Sequence, residues 1–360
     1  MTPPLTAALG RLSDHLGVED ASADVRRVDV ADGGGLVLEV GADGRPPRWF
    51  RDADGSLVEL HPRDDGRLPL TADWDTLEEQ GPLVCLGWKP GRRIALFHER
   101  PGAPVVLKGY RRGRSARARD AHLAADGDAR AAGFRTPRLL HHAPDAELLA
   151  FEHVEGRALR VESEEVDTFF RAGSALRALQ DASVALERTH DARAETDVVD
   201  RWAERVRRAN GELPPGWQGA RAALAAFPSA GQGPAVPAHR DLHDGQILVT
   251  ARGPVFLDLD LAARCEPGLD AANLLAHLTL RHLQGAPGAD EDGVVTCGAA
   301  FLDGLGRESD ERFWSRLRFY QATTFLRLAL VYALRPRWAR LSPTLTRLAL
   351  RCIEDGSPPA

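Results

Sequence analysis

His239-Arg240-Asp241-Leu242-His243-Asp244-Gly245-Gln246-Ile247-Leu248-Val249, followed by Phe256-Leu257-Asp258-Leu259-Asp260, is the stretch that decides the fold. Asp241 stands five residues before Gln246 and seventeen before Asp258. The stretch begins after the break AGQGPAVPA at 230–238, and its two apolar runs, QILV and PVFLDLDL, read as a hairpin of short strands. Such a hairpin puts Asp241 on the loop before its first strand, Gln246 at that strand's start and Asp258 at the end of its second. All three then reach one edge. A lone H-x-D is common and an Asp after a strand is usually a turn former. The order and spacing of the groups together point to chemistry.

Phosphoryl transfer is a chemistry that such a set of groups would suit, since it asks little covalent help of a protein. It needs positioning, Mg²⁺ to neutralise developing charge, and a carboxylate beside the attacking hydroxyl. Mg²⁺ takes hard oxygen ligands in near-octahedral geometry. H-x-D-x-x-x-x-N followed by two apolar residues and Asp is the pattern of the kinase catalytic loop and metal aspartate. With the following EPGLDAANLLAHL, the chain resembles the aminoglycoside-phosphotransferase and choline-kinase-like small-molecule kinases, which read H-G-D-x-H-x-x-N and then I-D with D-P-x-x-D-L-A.

The resemblance implies that Asp241 is the catalytic aspartate and Asp258 the Mg²⁺ aspartate. Gln246 stands where the metal-binding Asn usually stands; it is one methylene longer and still offers an amide oxygen. Maltokinase-like sugar kinases resemble this chain in carrying H-x-x-x-H-x-G-Q here. Asp260 is either a second metal-side group or a turn residue, with the metal role favoured. Asp270 resembles the aspartate that opens the next helix and is read as a helix cap. His239 is expected to hold the loop by hydrogen bonds, and His243 to face either substrate or solvent. Arg240 replaces the Gly usual in small-molecule kinases. No D-F-G, A-P-E or G-x-G-x-x-G accompanies it, so protein substrates find no support.

Working outward, VVLK places Lys108 at the end of an apolar strand, as in V-A-I-K. The chain has 46 Lys and Arg, of which only Lys89 and Lys108 are lysine, so a lysine at this place stands out. The resemblance implies that Lys108 holds the α- and β-phosphates and is oriented by an acid on the following helix. No Glu occurs between 100 and 146; Asp120 fits best by local context, with His122 and Asp126 as alternatives. The turn Leu86–Arg93 would cover the phosphates, with Arg92 as a phosphate contact or a solvated hairpin tip. Leu148–Gly156 resembles the hinge along adenine, where the backbone of Glu152 and Val154 would contact the base. The cofactors implied are ATP or GTP and Mg²⁺.

The rest of the chain agrees with an α+β, bilobal, protein-kinase-like fold: an antiparallel β-rich N-lobe, a mainly helical C-lobe and an extra N-terminal β-rich cap. Residues 24–80 read as hairpins punctuated by DGGG, ADGR and DADG. Strands are expected near 83–88, 93–98, 104–108, 138–141 and 147–152, a helix over 113–132, and helices from 163 onward, including 164–190, broken by the hairpin. The expected divisions are a cap at 1–80, an N-lobe at 81–155 and a C-lobe at 156–360 with the catalytic hairpin at 239–260. The cap resembles that of maltokinase-like and several actinobacterial phosphotransferase-like proteins.

Composition narrows the class. The chain has 360 residues, 43% hydrophobic and 27% charged, with net charge −6, which lacks the basic footprint of a nucleic-acid binder. Four scattered cysteines argue against a zinc site or a disulfide framework and fit a reducing cytosol. There is no signal-peptide pattern and no long charge-free apolar run, so a cytoplasmic protein without membrane contact is expected. The expected activity is ATP-dependent phosphorylation of a hydroxyl on a small molecule, a sugar, aminosugar or related alcohol. An antibiotic kinase acting on aminoglycosides or macrolides shares this chemistry, and a nucleotide-binding pseudokinase scaffold is the reading from another class. Spacing says nothing of oligomeric state.

Overall fold

A computed structural model describes residues 3–354 except 32–33, 42–45, 128–129, 131–132, 228–234 and 308–310. The chain divides into two compact units, one of residues 1–61, 191–230 and 317–359, the other of 62–190 and 231–316.

In the first unit, helix α1 (Pro4–Leu16) buries Leu5, Ala8 and Leu12, spaced for one face. It begins with Pro at its first position and ends at Gly17 in the left-handed region. It has no counterpart in the sequence reading. Strands β1 (Val25–Val30), β2 (Leu36–Val40), β3 (Arg48–Ala53) and β4 (Ser56–Leu60) form an antiparallel meander in chain order. The DADG turn closes β3 onto β4 with Asp54 and Gly55 both at positive φ, the geometry that matches strand twist. The DGGG turn falls partly, and the ADGR turn wholly, outside the described residues. Phe50, Leu38 and Val28 fill the buried face of the sheet. Helices α5 (Ala192–Asn210), α6 (Trp217–Ala225) and α10 (Ser342–Glu354), with the part of α9 (Glu311–Ala333) from Leu317 onward, complete the unit.

The hairpin texture expected through residue 80 stops at Leu60. Residues 62–64 and 69–73 are short 3₁₀ turns and α2 (Trp74–Gln80) is helical; Pro62 and Pro69 lack the N–H that a strand ladder uses.

The second unit holds a five-stranded antiparallel sheet in the order β5-β6-β7-β9-β8. Its strands are β5 (Leu83–Lys89), β6 (Arg93–His98), β7 (Val105–Tyr110), β8 (Leu139–Ala143) and β9 (Leu148–Glu152). Helix α3 (Ser115–Asp126) follows β7, and Ala118 packs with Tyr110, Leu149 and Phe151 in one buried cluster. The expected helix therefore stops at Asp126, short of 132; within that remainder, 128–129 and 131–132 lie outside the described residues. The start of α3 is held by Glu147, whose carboxylate accepts the N–H groups of Gly113, Arg114 and Ser115.

Beyond β9 come β10 (Arg157–Ala158), α4 (Val166–Asp181), β11 (Val236–Ala238), the hairpin β12 (Ile247–Thr250) and β13 (Gly253–Phe256), β14 (Ala263–Cys265), α7 (Gly268–Leu283) and α8 (Glu291–Leu305). Strand β12 pairs with β10 and β13, and β11 with β14. Phe134 stacks on Phe256 at 4.5 Å beneath the hairpin. Helices α4 and α8 touch backbone to backbone: a Cβ on Gly173 or Gly304 would come within 2.0 Å of a carbonyl oxygen on the facing helix.

Residues 182–190, read as helix, are irregular: the Val184 and Leu186 N–H groups donate only two residues back, to Ala182 and Val184, and Thr189 bridges to Arg264. The His190 N–H is taken by the Arg264 carbonyl at 2.8 Å, and the Arg264 N–H by Arg188 at 2.6 Å, so β14 claims the backbone that a helix would have used.

Candidate active site

Lys108 lies one residue from the middle of β7, and the β7 side chain two places on, Tyr110, faces the same way because strand side chains alternate. Across from them, β13 ends at Phe256 and the backbone turns sharply: Asp258 is a non-glycine residue at φ 59°, ψ 62°. Such a conformation costs a residue with a Cβ on the order of 1 kcal/mol. The Lys108 Nζ donates to Asp258 Oδ1 at 2.9 Å and to Asp260 Oδ1 at 3.0 Å. Arg93, at the start of β6, brings its Nη1 to 3.1 Å from Asp258 and 2.9 Å from Asp260. The Tyr110 hydroxyl donates to Asp260 Oδ1 at 2.9 Å.

Two carboxylates thus face two cations in a half-closed pocket, and each sign supports the other. Burial alone would raise the Asp258 pKa, but Lys108 and Arg93 overcome it and hold the carboxyl well below its usual range. Burial would likewise depress Lys108, yet Asp258 and Asp260 leave its ammonium above the ordinary value. Burial and the same carboxylates raise the Tyr110 phenol, so it remains a donor.

The pocket is a cavity of about 460 Å³. Lys108, Glu152, Val154, Gln246, Asp258 and Asp260 all line it, six of the residues singled out from sequence. Leu86, Ala95, Val106, Phe151 and Leu248 give it apolar walls. The Glu152 carboxylate is turned to Arg138, accepting from its N–H and Nε at 2.9 Å each, and the Glu152 N–H donates to the Arg138 carbonyl at 3.0 Å. Among the described residues no backbone carbonyl takes the Val154 N–H.

Gln246 and Asp258 are held at fixed spacing by the main chain. The Gln246 N–H donates to His243 O at 2.8 Å, and the Leu257 N–H to Gln246 O at 2.9 Å. Gly245 has no left-handed φ. Its bareness makes room instead, since a Cβ there would stand 3.0 Å from the His243 ring.

Asp241 sits half-buried on the loop between β11 and the 3₁₀ turn Asp244–Gln246, outside the cavity lining. His239 does the structural work expected of it. Its buried Nε2 donates to the Leu257 carbonyl at 2.7 Å, which makes Nδ1 the acceptor for the Asp241 N–H at 3.3 Å. One imidazole therefore ties the Asp241 loop to the strand end that carries Asp258. His243 stacks on His277 at 4.8 Å, and Asp244 is paired with Arg281 at 2.7 Å.

Two sequence-named residues stand elsewhere. Asp120 is exposed and paired with its neighbour Arg119 at 2.6 Å. Arg92 is on the β5–β6 turn and outside the cavity lining, and its neighbour Arg93 reaches the carboxylates. Of the alternatives to Asp120, Asp126 pairs with Arg130 and Thr136, while His122 lines the cavity.

Asp270 is not a helix cap. Helix α7 starts after Pro267 with no side-chain cap, and the buried Asp270 carboxylate accepts the N–H groups of His239 and Arg240 at 2.7 Å each. Sequence reasoning missed this role along with those of Arg93 and Tyr110. Tyr110 carried a signal in its i+2 relation to Lys108; Asp270 carried none, because its partners are backbone groups.

The sequence matches the phosphotransferase enzyme family (APH) over residues 92–320. No curated protein matches it in sequence. Solved structures share the fold at low identity. A choline/ethanolamine kinase family protein from Mesorhizobium loti is 19% identical with TM-score 0.50, over 77% of this chain and 93% of that one. A macrolide 2'-phosphotransferase type I is 20% identical with TM-score 0.52, over 78% and 97%. The amicoumacin kinase hAmiN, in complex with AMP-PNP, Ca²⁺ and Ami, is 13% identical with TM-score 0.56, over 82% and 95%. The expected fold class, β-rich and helical parts of kinase type, is the one these structures share. Among the described residues no helix is long and apolar enough to cross a membrane.

Proposed function

Because the chain belongs to the phosphotransferase enzyme family, we propose that it is a kinase that moves the γ-phosphate of ATP or GTP, with Mg²⁺, onto a hydroxyl of a small sugar, aminosugar or related alcohol in the cytoplasm. The observation that carries this reading is the 2.9 Å contact between Lys108 and Asp258, 150 residues apart in sequence, in a cavity bordered by the hinge-like segment.

Asp258 and Gln246 offer hard oxygens on one wall of that cavity, a donor set that fits Mg²⁺. They would hold the ion, which when bound supplies neutralisation of phosphate charge. Lys108 and Arg93 are the cations available to phosphate oxygens. With the Glu152 N–H already used, a base contact from Glu152 is left to its carbonyl oxygen, beside the Val154 N–H. The Asp241 carboxylate accepts the proton of the acceptor hydroxyl as the new O–P bond forms and the bond to the nucleoside diphosphate breaks. Gln246 in place of Asn favours sugar-like acceptors, on its likeness to maltokinase-like enzymes.

An acceptor panel of sugars, aminosugars, aminoglycosides and macrolides, read by nucleoside diphosphate release, tests the reading. Acceptor-dependent release that Asp241→Asn abolishes is the expected result. Failure to bind Mg²⁺-nucleotide in calorimetry would overturn the kinase reading. Binding without turnover on any acceptor would favour the scaffold.

A further inference from the structure

Among the described residues, Lys108 meets no carboxylate of the helix that follows it. Asp120 and Asp126 on α3 are both committed to arginines, and the α3 side chain that shares the cavity with Lys108 is His122. The acid that meets the lysine comes from the metal-side hairpin instead. Asp260 Oδ1 accepts from Lys108 at 3.0 Å and from the Tyr110 hydroxyl at 2.9 Å, and Oδ2 accepts from Arg93 at 2.9 Å.

We propose that Asp260 is the positioning residue that orients Lys108 toward nucleotide phosphate, in place of an acid on α3, and that it is not a metal ligand. The proposal rests on the kinase reading above. Two donors meet Oδ1 and a guanidinium meets Oδ2, so three of the roughly four lone-pair sites of Asp260 are taken, and a metal would have to compete with two cations for this carboxylate. Asp258 differs. It lines the cavity together with Gln246, and it shares Lys108 and Arg93 with Asp260 while the Tyr110 hydroxyl goes to Asp260. When Asp258 is turned to the metal and Lys108 to phosphate, Asp260 remains behind the lysine, braced by Tyr110. The place of Asp260 in the turn Leu259–Leu261, against which α3 packs, lets a hairpin carboxylate do the work of a helix carboxylate.

The test is a set of variants read by calorimetric nucleotide affinity, by the Mg²⁺ concentration for half-maximal nucleotide binding, and by KM against kcat. Thermal melts establish that each variant is folded. Asp260→Asn, which keeps the shape, should weaken nucleotide binding about tenfold and leave the Mg²⁺ midpoint unchanged. Tyr110→Phe should move the same way by less. Combined with Lys108→Ala, Asp260→Asn should add almost nothing, because both act through one ammonium. Moving the acid back to the helix with His122→Glu should restore part of the loss in the Asp260→Asn protein. A shift of the Mg²⁺ midpoint by Asp260→Asn as large as that caused by Asp258→Asn would overturn the proposal, as would full additivity with Lys108→Ala. Either result with a wild-type protein that binds and turns over nucleotide sinks this inference alone. A wild-type protein that binds no Mg²⁺-nucleotide sinks the kinase reading and the inference with it.

Discussion

Asp270 holds Arg240 in a backbone conformation that its side chain disfavours. Arg240 sits at φ 71°, where the family pattern has glycine, and its N–H donates to Asp270 Oδ1 at 2.7 Å while the neighbouring His239 N–H takes Oδ2. Burial raises the Asp270 pKa, only partly offset by His239 and these two N–H donors, so the carboxylate is kept at a cost in desolvation. The position Asp270 fixes is the turn that presents Asp241.

This relation predicts opposite outcomes for its two members. Asp270→Asn leaves at least one buried N–H without an acceptor and should cost roughly 1–3 kcal/mol of stability, with a loss of turnover. Arg240→Gly removes left-handed strain of about 1 kcal/mol, set against the loss of weak contacts to Leu261 and His190. It should melt close to the wild type and retain nucleotide binding. Thermal melts of both variants decide the matter; a strongly destabilised Arg240→Gly would mean that the guanidinium, and not the clamp, holds the loop.

Asp241→Asn should lower turnover by about 10²–10⁴-fold, the usual worth of a general base. Nucleotide affinity should hardly change, since Asp241 is outside the cavity lining. Near-normal turnover on the true acceptor would remove Asp241 from its role.

Asp258→Ala should weaken Mg²⁺-nucleotide binding as well as turnover, because a charged ligand is lost, and Gln246→Ala should do so less. Gln246→Asn should not improve transfer. The Gln246 backbone is fixed on both sides by His243 O and Leu257 N–H, so on the proposed reading a side chain shorter by one methylene would not be made good by a shift of the main chain. Titrating nucleotide affinity against Mg²⁺ in the three variants checks the order. A large gain with Asn would make the glutamine a degenerate substitution.

Glu147 predicts an acid-linked loss of stability. Burial would raise its pKa, but the N–H groups at the start of α3 overcome that and hold it down at about 2, against an ordinary 4.5. A folded pKa below the unfolded one gives stability that is full above about pH 4.5 and fades as pH falls toward 2. Glu147→Gln should cost about 1 kcal/mol near neutral pH, as losing a cap does, and should flatten the pH dependence in that acid window. Urea melts of both proteins at neutral and acid pH would show it; parallel curves would speak against the cap.

Much of this protein was legible in the sequence where the physics is local. The hairpin at 247–256, the strand that carries Lys108 (though it runs on to Tyr110) and the turn at Asp54-Gly55 follow from apolar runs, turn residues and spacings of a few residues, because backbone hydrogen bonding is settled over such distances. The presence of Gln246 and Asp258 on one cavity follows from the same hairpin, while Asp241 stands on the preceding loop, outside that lining. The tertiary structure alone decided which acid meets Lys108. Asp120 was the first acid after it in the chain, yet α3 turns it to solvent, while packing brings Asp260 across a separation of 152 residues. It also decided that 182–190 is irregular rather than helical, that α1 forms, and that Asp270 serves a loop rather than its own helix. Side-chain partners at such separations are chosen by which surfaces bury together and which charges must then be matched, and no spacing in the chain records that choice.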